Sequence, residues 1–283
     1  MATLSQKSML VYLSIGQPKL RVTDKQATSD LSASHGVDKQ HGRVVKSLYS
    51  KEDYQPISDL INQARHHWHY KRTLPWLDGG QRILPSSMFM SYAEKMREFS
   101  AEFDRLVDAF INDYAKRLSN AKAKLNGLFN AADYPDPATL RERFRFEVSY
   151  SPVPVAGDFR MDGIGEAEKA ILAAEVQKRE VDAMKAANKE LAQRVADIIG
   201  NISAVCSKDK PRIYDSLLSN AAELADLIPA LNVGNDPKLN AAADAIKKKV
   251  LITGTDTLKE SKQARSEVAA AADDIVKQMA GFF

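Results

Sequence analysis

The sequence predicts a mainly α fold with a small β element: an α+β N-terminal part followed by a helical-bundle C-terminal part. Three observations carry that expectation. Residues 92–118 hold the strongest helical periodicity of the chain, residues 166–283 read as helix after helix, and only residues 9–15 and 144–150 have strand character. The expected organisation is an α+β domain over 1–155 with two paired strands and a long helix. A linker follows over 156–165, and then a helical bundle or hairpin domain over 166–283.

Each element has its own signal. Residues 9–15 (MLVYLSI) form a short apolar run ended by Gly16 and Pro18, which reads as a strand. Residues 24–55 are polar, broken by Gly36 and Gly42, and read as short helix or loop. Pro56 opens a helix over 57–70, with Ile57, Leu60, Ile61, Ala64 and Trp68 on one face. Residues 73–87 contain Pro75, Gly79, Gly80 and Pro85 and read as a loop, with Ser86 and Ser87 capping the next helix. In that helix Tyr92, Met96, Phe99, Phe103, Leu106, Phe110, Tyr114 and Leu118 recur at spacings of three and four, close to a coiled-coil heptad seam. Asn126 and Gly127 end it.

Tyr134 to Pro137 breaks the chain, and Pro137 suits the start of a short helix over 138–143. In residues 144–150, Phe144, Phe146, Val148 and Tyr150 alternate with Arg145, Glu147 and Ser149, the pattern of a half-buried strand. It is expected to pair with the first strand; no third strand is evident. Beyond the linker, Val181, Met184, Leu191, Val195, Ile198, Ile202 and Val205 line one face of a long helix from about Glu166. Asp209 with Pro211, Asp236 with Pro237, and Asp256 mark the starts of three more.

Composition excludes some classes of protein. The chain has 283 residues, 44% hydrophobic and 27% charged, the composition of a protein with a core. No run approaches the roughly 18–20 apolar residues of a membrane span, and no secretory leader pattern is seen. Cys206 stands alone, so no internal disulfide forms, a reducing compartment is expected, and the residue reads as a small core hydrophobe. The net charge of +3 is too mild to demand nucleic acid. It is unevenly spread: residues 1–72 hold 11 Lys and Arg against six Asp and Glu, and all five histidines.

No motif for chemistry emerges. Phosphate-binding glycine loops, a nucleophile elbow and a paired-histidine zinc motif are all missing, so no catalytic residue, metal site or cofactor is expected. His66 and His69 share a helix face at a spacing a metal can use, with Asp78 or His41 as a conceivable third ligand, but a surface helix end is the plainer reading. Around them Arg65, Trp68, Tyr70, Lys71, Arg72, Trp76 and Arg82 combine cations with aromatic rings, the ingredients of a single-stranded nucleic-acid binder. The long stripe serves either as core or as an exposed interface, whose residues are Tyr92, Met96, Phe99, Phe103 and Phe110.

Three stretches carry a resemblance: HYKRTLPWLDGGQRILPSSMFMSY over 69–92, DYPDPATLRERFRFEVSYSPVPVAGDFR over 133–160, and RIYDSLLSNAAELADLIPALNVGNDPKL over 212–239. Together they resemble an uncharacterised family encoded by tailed bacteriophages and prophages, sometimes beside MoxR-type AAA+ ATPases and von Willebrand A proteins. The resemblance runs from about Leu10 to the C-terminus and carries no catalytic residues. It implies a phage or prophage origin and the host bacterial cytoplasm. The expected function is non-enzymatic: self-assembly, or binding of a phage or host protein such as an AAA+ ATPase. Single-stranded nucleic-acid binding or annealing through residues 65–82 is the alternative.

Overall fold

The computed structural model describes residues 3–38, 40–77, 79–158 and 163–283. Its elements follow from local signals. The turn α1 (Leu4–Lys7) sits in a capping box with Thr3 and Gln6. It leads into β1 (Ser8–Gly16), the apolar run. β2 (Arg21–Asp24) precedes α2 (Lys25–His35), which Asp24 caps by accepting from Ala27 N at 2.9 Å and Gly36 ends at φ 62°. β3 (Val44–Ser47) follows. α3 (Lys51–Asn62) begins at Ser50, whose hydroxyl accepts from Asp53 N at 3.3 Å; it continues through a π-helical stretch (Gln63–His69) into the turn α4 (Tyr70–Arg72). β4 (Leu74–Pro75) and β5 (Gln81–Pro85) come next, then α5 (Phe89–Asn112), α6 (Tyr114–Leu125), α7 (Pro137–Leu140) and β6 (Arg145–Pro152). α8 (Glu166–Cys206) carries Glu166 and Glu168 in its first turn, where carboxylates suit the helix dipole. α9 (Ser216–Leu231), α10 (Pro237–Ala245), α11 (Thr255–Glu260) and α12 (Lys262–Met279) complete the chain's longer helices.

The mainly helical fold with a small β element, expected from the sequence, is what the chain adopts. Its larger sheet has the order β4-β5-β1-β6. β1 and β5 are antiparallel, with Leu10 opposite Ile83 and Tyr12 opposite Gln81; β4 pairs with β5 through Leu74 and Ile83. Leu10, Val11, Leu74, Ile83 and Leu84 are all buried. At the turn before β5, Gly80 has φ 127°, and a Cβ there would meet the Tyr12 ring at 2.6 Å. Only glycine satisfies both conditions.

The chain forms two compact units that interleave in sequence. One comprises Met1–Tyr12, Tyr70–Tyr92 and Ser149–Phe283; the other comprises Leu13–His69 and Ala93–Val148. In the second, an aromatic core surrounds Phe110, with Tyr49, Tyr54 and Phe144 at 5.2, 5.8 and 5.8 Å between ring centres. Phe103 packs on Phe144 and Phe146. β2 and β3 pair antiparallel, Val22 opposite Lys46. The Lys46 ammonium is buried against Asp24 and Asp133, both at 2.8 Å, and the Leu128 carbonyl at 2.6 Å. In the first unit, α8 packs most extensively on α12. Alanines 183, 187 and 192 of α8 and 269 and 272 of α12 are buried and permit close approach. Ser203 donates to Asp273 across this pair at 2.6 Å. Buried Asn232 organises the turn from α9 to α10, donating to Asp236 O and Asn240 Oδ1 and accepting from Asp236 N.

Several expectations are corrected. The units are not the consecutive 1–155 and 166–283 domains, because β5 and the turn after it belong with the C-terminal helices. The loop expected over 73–87 is a β-hairpin; its prolines end β4 and β5, where a missing N–H is tolerated, and its glycines form the turn. Ser86 lies within a 3-10 turn (Ser86–Met88) rather than capping a helix. α3 starts five residues before Pro56, and Asp113 at φ −91° divides the long helix into α5 and α6. The second C-terminal helix begins at Ser216, not Pro211. On α8, Val181 is 53% exposed, and alanines replace it on the packed face. The proposed interface stripe is core: Tyr92, Met96, Phe99, Phe103 and Phe110 are each no more than 8% exposed, since the chain's own strands and loops cover them. Asp78, and residues 159–162 of the expected linker, lie outside the described residues.

Candidate functional site

Residues 65–82 divide between the two units. Arg65 and Trp68, both half-buried, belong to the unit containing the aromatic core, on the π-helical stretch after α3. Tyr70, Lys71, Arg72, Trp76 and Arg82 belong to the unit built on α8. There the helix turn α4 and the hairpin bring cations beside two carboxylates of the C-terminal helices. Lys71 meets Glu223 at 2.6 Å, and Arg72 reaches the same carboxylate at 3.5 Å. Arg82 donates to Glu190 at 2.7 Å, to Thr73 Oγ1 at 2.8 Å and to the Thr73 carbonyl at 3.1 Å, and its guanidinium stands 4.7 Å from the centre of the Tyr70 ring. Arg194 completes the set by donating to Glu190, to the Thr73 carbonyl at 2.7 Å and to the Lys71 carbonyl at 3.2 Å. Burial lowers the pKa of Arg72 and of Arg194, while Glu223 and Glu190 oppose it.

This arrangement is a structural clamp as much as a cationic patch. Four cations face two carboxylates, and every one of the four makes an ion pair. The sequence reading missed Thr73, Glu190, Arg194 and Glu223. Glu190 and Arg194 do carry a signal, a carboxylate and an arginine one helical turn apart, but nothing in the sequence ties them to Arg82. Trp76 is half-buried, its amide donating to Gln81 O at 3.4 Å in the hairpin. His66 is exposed and His69 is buried, so the pair does not present one open face. Among the described residues, no three His, Cys, Asp or Glu side chains gather in a metal-holding group.

A cleft of about 570 Å³ opens beside the first turn of α3, with Arg21, Lys51, Glu52, Asp53, Arg117 and Lys124 among its lining residues. Its Asp53 is already engaged, accepting from Ser50 Oγ at 2.7 Å and pairing with Arg117. The Tyr54 hydroxyl donates to Gln17 at 2.9 Å. Burial raises the pKa of Tyr49 and Tyr54, which keeps both phenols neutral and poorly suited to proton abstraction. Cys206 is buried, and that burial raises its thiol pKa, the wrong direction for a nucleophile. These groups hold the fold.

The least explained feature is the first part of α8. Over residues 166–182, 17 residues, no side chain is buried. Buried positions begin at Ala183. The open stretch is about 25 Å long at 1.5 Å per residue. Ile171 is 67% and Val181 53% exposed, and Ala174 between them is exposed too. Such a segment is marginal as an isolated helix, but here it propagates from the packed half of α8, which removes the cost of nucleation. No helix of the described residues is long and apolar enough to cross a membrane. No family model, curated protein or solved structure matches the chain.

Proposed function

We propose that this chain is a non-enzymatic protein of phage or prophage origin that works by contact, using the open half of α8 to bind another polypeptide. The observation that carries the reading is the row Ile171, Ala174 and Val181, held in water on a helix that has a core to anchor it elsewhere. Covering one aliphatic side chain of that size is worth roughly 1.5–3 kcal/mol, so a partner gains by taking up both Ile171 and Val181. The partner is another copy or a second phage or host protein, an AAA+ ATPase among the candidates. Site-specific photo-cross-linking from position 171 of the full chain, in the bacterium that makes it, tests the reading. A discrete adduct is expected from position 171 and none from exposed Lys248; equal labelling at both would reject it.

Single-stranded nucleic acid held by Arg65, Trp68, Tyr70, Lys71, Arg72, Trp76 and Arg82 draws less support. Four cations of the neighbourhood are engaged with Glu190 and Glu223, and phosphate would have to displace those pairs. What favours it is the excess of cations and the partly exposed Tyr70 ring beneath Arg82. Fluorescence anisotropy with a labelled oligonucleotide over a salt series decides. The contact reading expects no binding at low salt. Binding that weakens with salt and falls further in Arg82→Ala would instead support the nucleic-acid reading.

A further inference from the structure

We infer that the cleft beside the first turn of α3 binds a small phosphate monoester. The inference uses none of the residues of the contact reading. The cleft lies wholly within the unit that holds the aromatic core, lined by the first turns of α3, the later part of α6 and the β2–β3 pair. Four cations line it, Arg21, Lys51, Arg117 and Lys124, against two carboxylates, Glu52 and Asp53. Both carboxylates are already engaged. Asp53 accepts from Ser50 Oγ and pairs with Arg117, which also donates to Phe110 O. Glu52 is held below the usual carboxylate range by its own N–H, then by Ser50 and Lys124. The start of α3 is therefore capped by its own residues and is not the attraction. Arg21, Lys51 and Lys124 are exposed, and among the described residues none of the three makes an ion pair. Four cations against two carboxylates leave the lining a net charge of +2. A phosphate monoester brings about −1.5 to −2 at neutral pH, which matches it, and Lys and Arg donate strongly to phosphate oxygens. A phosphodiester brings half of that charge. Leu20, Leu48, Ala121 and Leu125 give the cleft an apolar wall for an organic body, and Ser47 and Asn120 add hydrogen-bonding groups. Its 570 Å³ falls in the roughly 300–1,000 Å³ range of small-molecule sites.

Calorimetry on the full chain at low salt reads the site, with AMP and phenyl phosphate as probes. Both should bind, adenosine should not, and affinity should fall as salt rises. Inorganic phosphate should bind more weakly than either probe, because it leaves the apolar wall uncovered. Arg21→Gln, Lys51→Gln and Lys124→Gln should each weaken binding several-fold at an unchanged melting temperature. Lys116→Gln makes the same charge change on α6 outside the cleft and should leave binding as it is. Failure of both probes to bind would overturn the site. So would equal weakening by Lys116→Gln, the mark of a diffuse attraction. Inorganic phosphate binding as tightly as AMP would overturn the organic body. Displacement of AMP by an oligonucleotide that lacks a terminal phosphate would overturn the monoester in favour of nucleic acid.

Discussion

Lys46 holds its ammonium against Asp24, Asp133 and Leu128 O with 6% of the residue exposed. Asp133, then Asp24, raise the lysine's pKa against the opposing effect of burial, and the Lys46 hydrogen bond is the largest cause lowering that of Asp24. The two shifts bound a pH window. A lowered carboxylate stabilises the fold above its unfolded value of about 4, and that stability is lost as pH falls through the folded value; a raised lysine stabilises below about 10.4, and that is lost as pH rises through its folded value. Thermal unfolding should therefore be flat between these limits and fall on both sides. Lys46→Met should cost about 1–3 kcal/mol at neutral pH, because it removes the ammonium that Asp24 and Asp133 share and leaves Asp24 only its backbone donor, Ala27 N. A variant as stable as the parent would show that the lysine carries no such role. None of this was legible in the sequence, where Lys46 is one of several cations in a polar stretch. Its partners come from 22 and 87 residues away in the chain.

At the scale of elements, periodicity was the reliable signal and its use was not. The stripe of α5 is where the sequence placed it, yet Phe103 and Phe110 face aromatic side chains of the same unit rather than another subunit. Spacing says which face of a helix is apolar; it does not say what covers that face. Phe103→Ala should cost about 3–5 kcal/mol, as expected for a fully buried phenylalanine, read as a loss in the midpoint of chemical unfolding. A loss under about 1 kcal/mol, typical of a surface substitution, would contradict its place in the core. The hairpin β4–β5 was hidden because Pro75, Gly79, Gly80 and Pro85 are breakers by type, and only pairing with β1 reveals them as strand ends and turn. On α8 the error ran the other way. Val181 looked like core by type, while Ala183 and Ala187, too small to register as apolar markers, make the packed face.

For the whole molecule, the interleaving of two units explains why a consecutive domain boundary failed. A composition shift marks residues 151–165, but compactness depends on which strands join which helices, and residues 70–92 join the C-terminal set. The same separation splits the basic-aromatic segment at His69 and Tyr70, so residues that read as one cluster serve two cores. Among the described residues the first half of α8 has no fully buried side chain and turns Ile171, Ala174 and Val181 outward, and the functional reading rests on that face. Its most direct test compares photo-cross-linking from position 171 with that from Lys248 in the cell that makes the protein. A single adduct from 171, lost when Val181→Glu places a charge on the same stripe, is the predicted result. Labelling at 171 that matches Lys248, or that is indifferent to Val181→Glu, would contradict it.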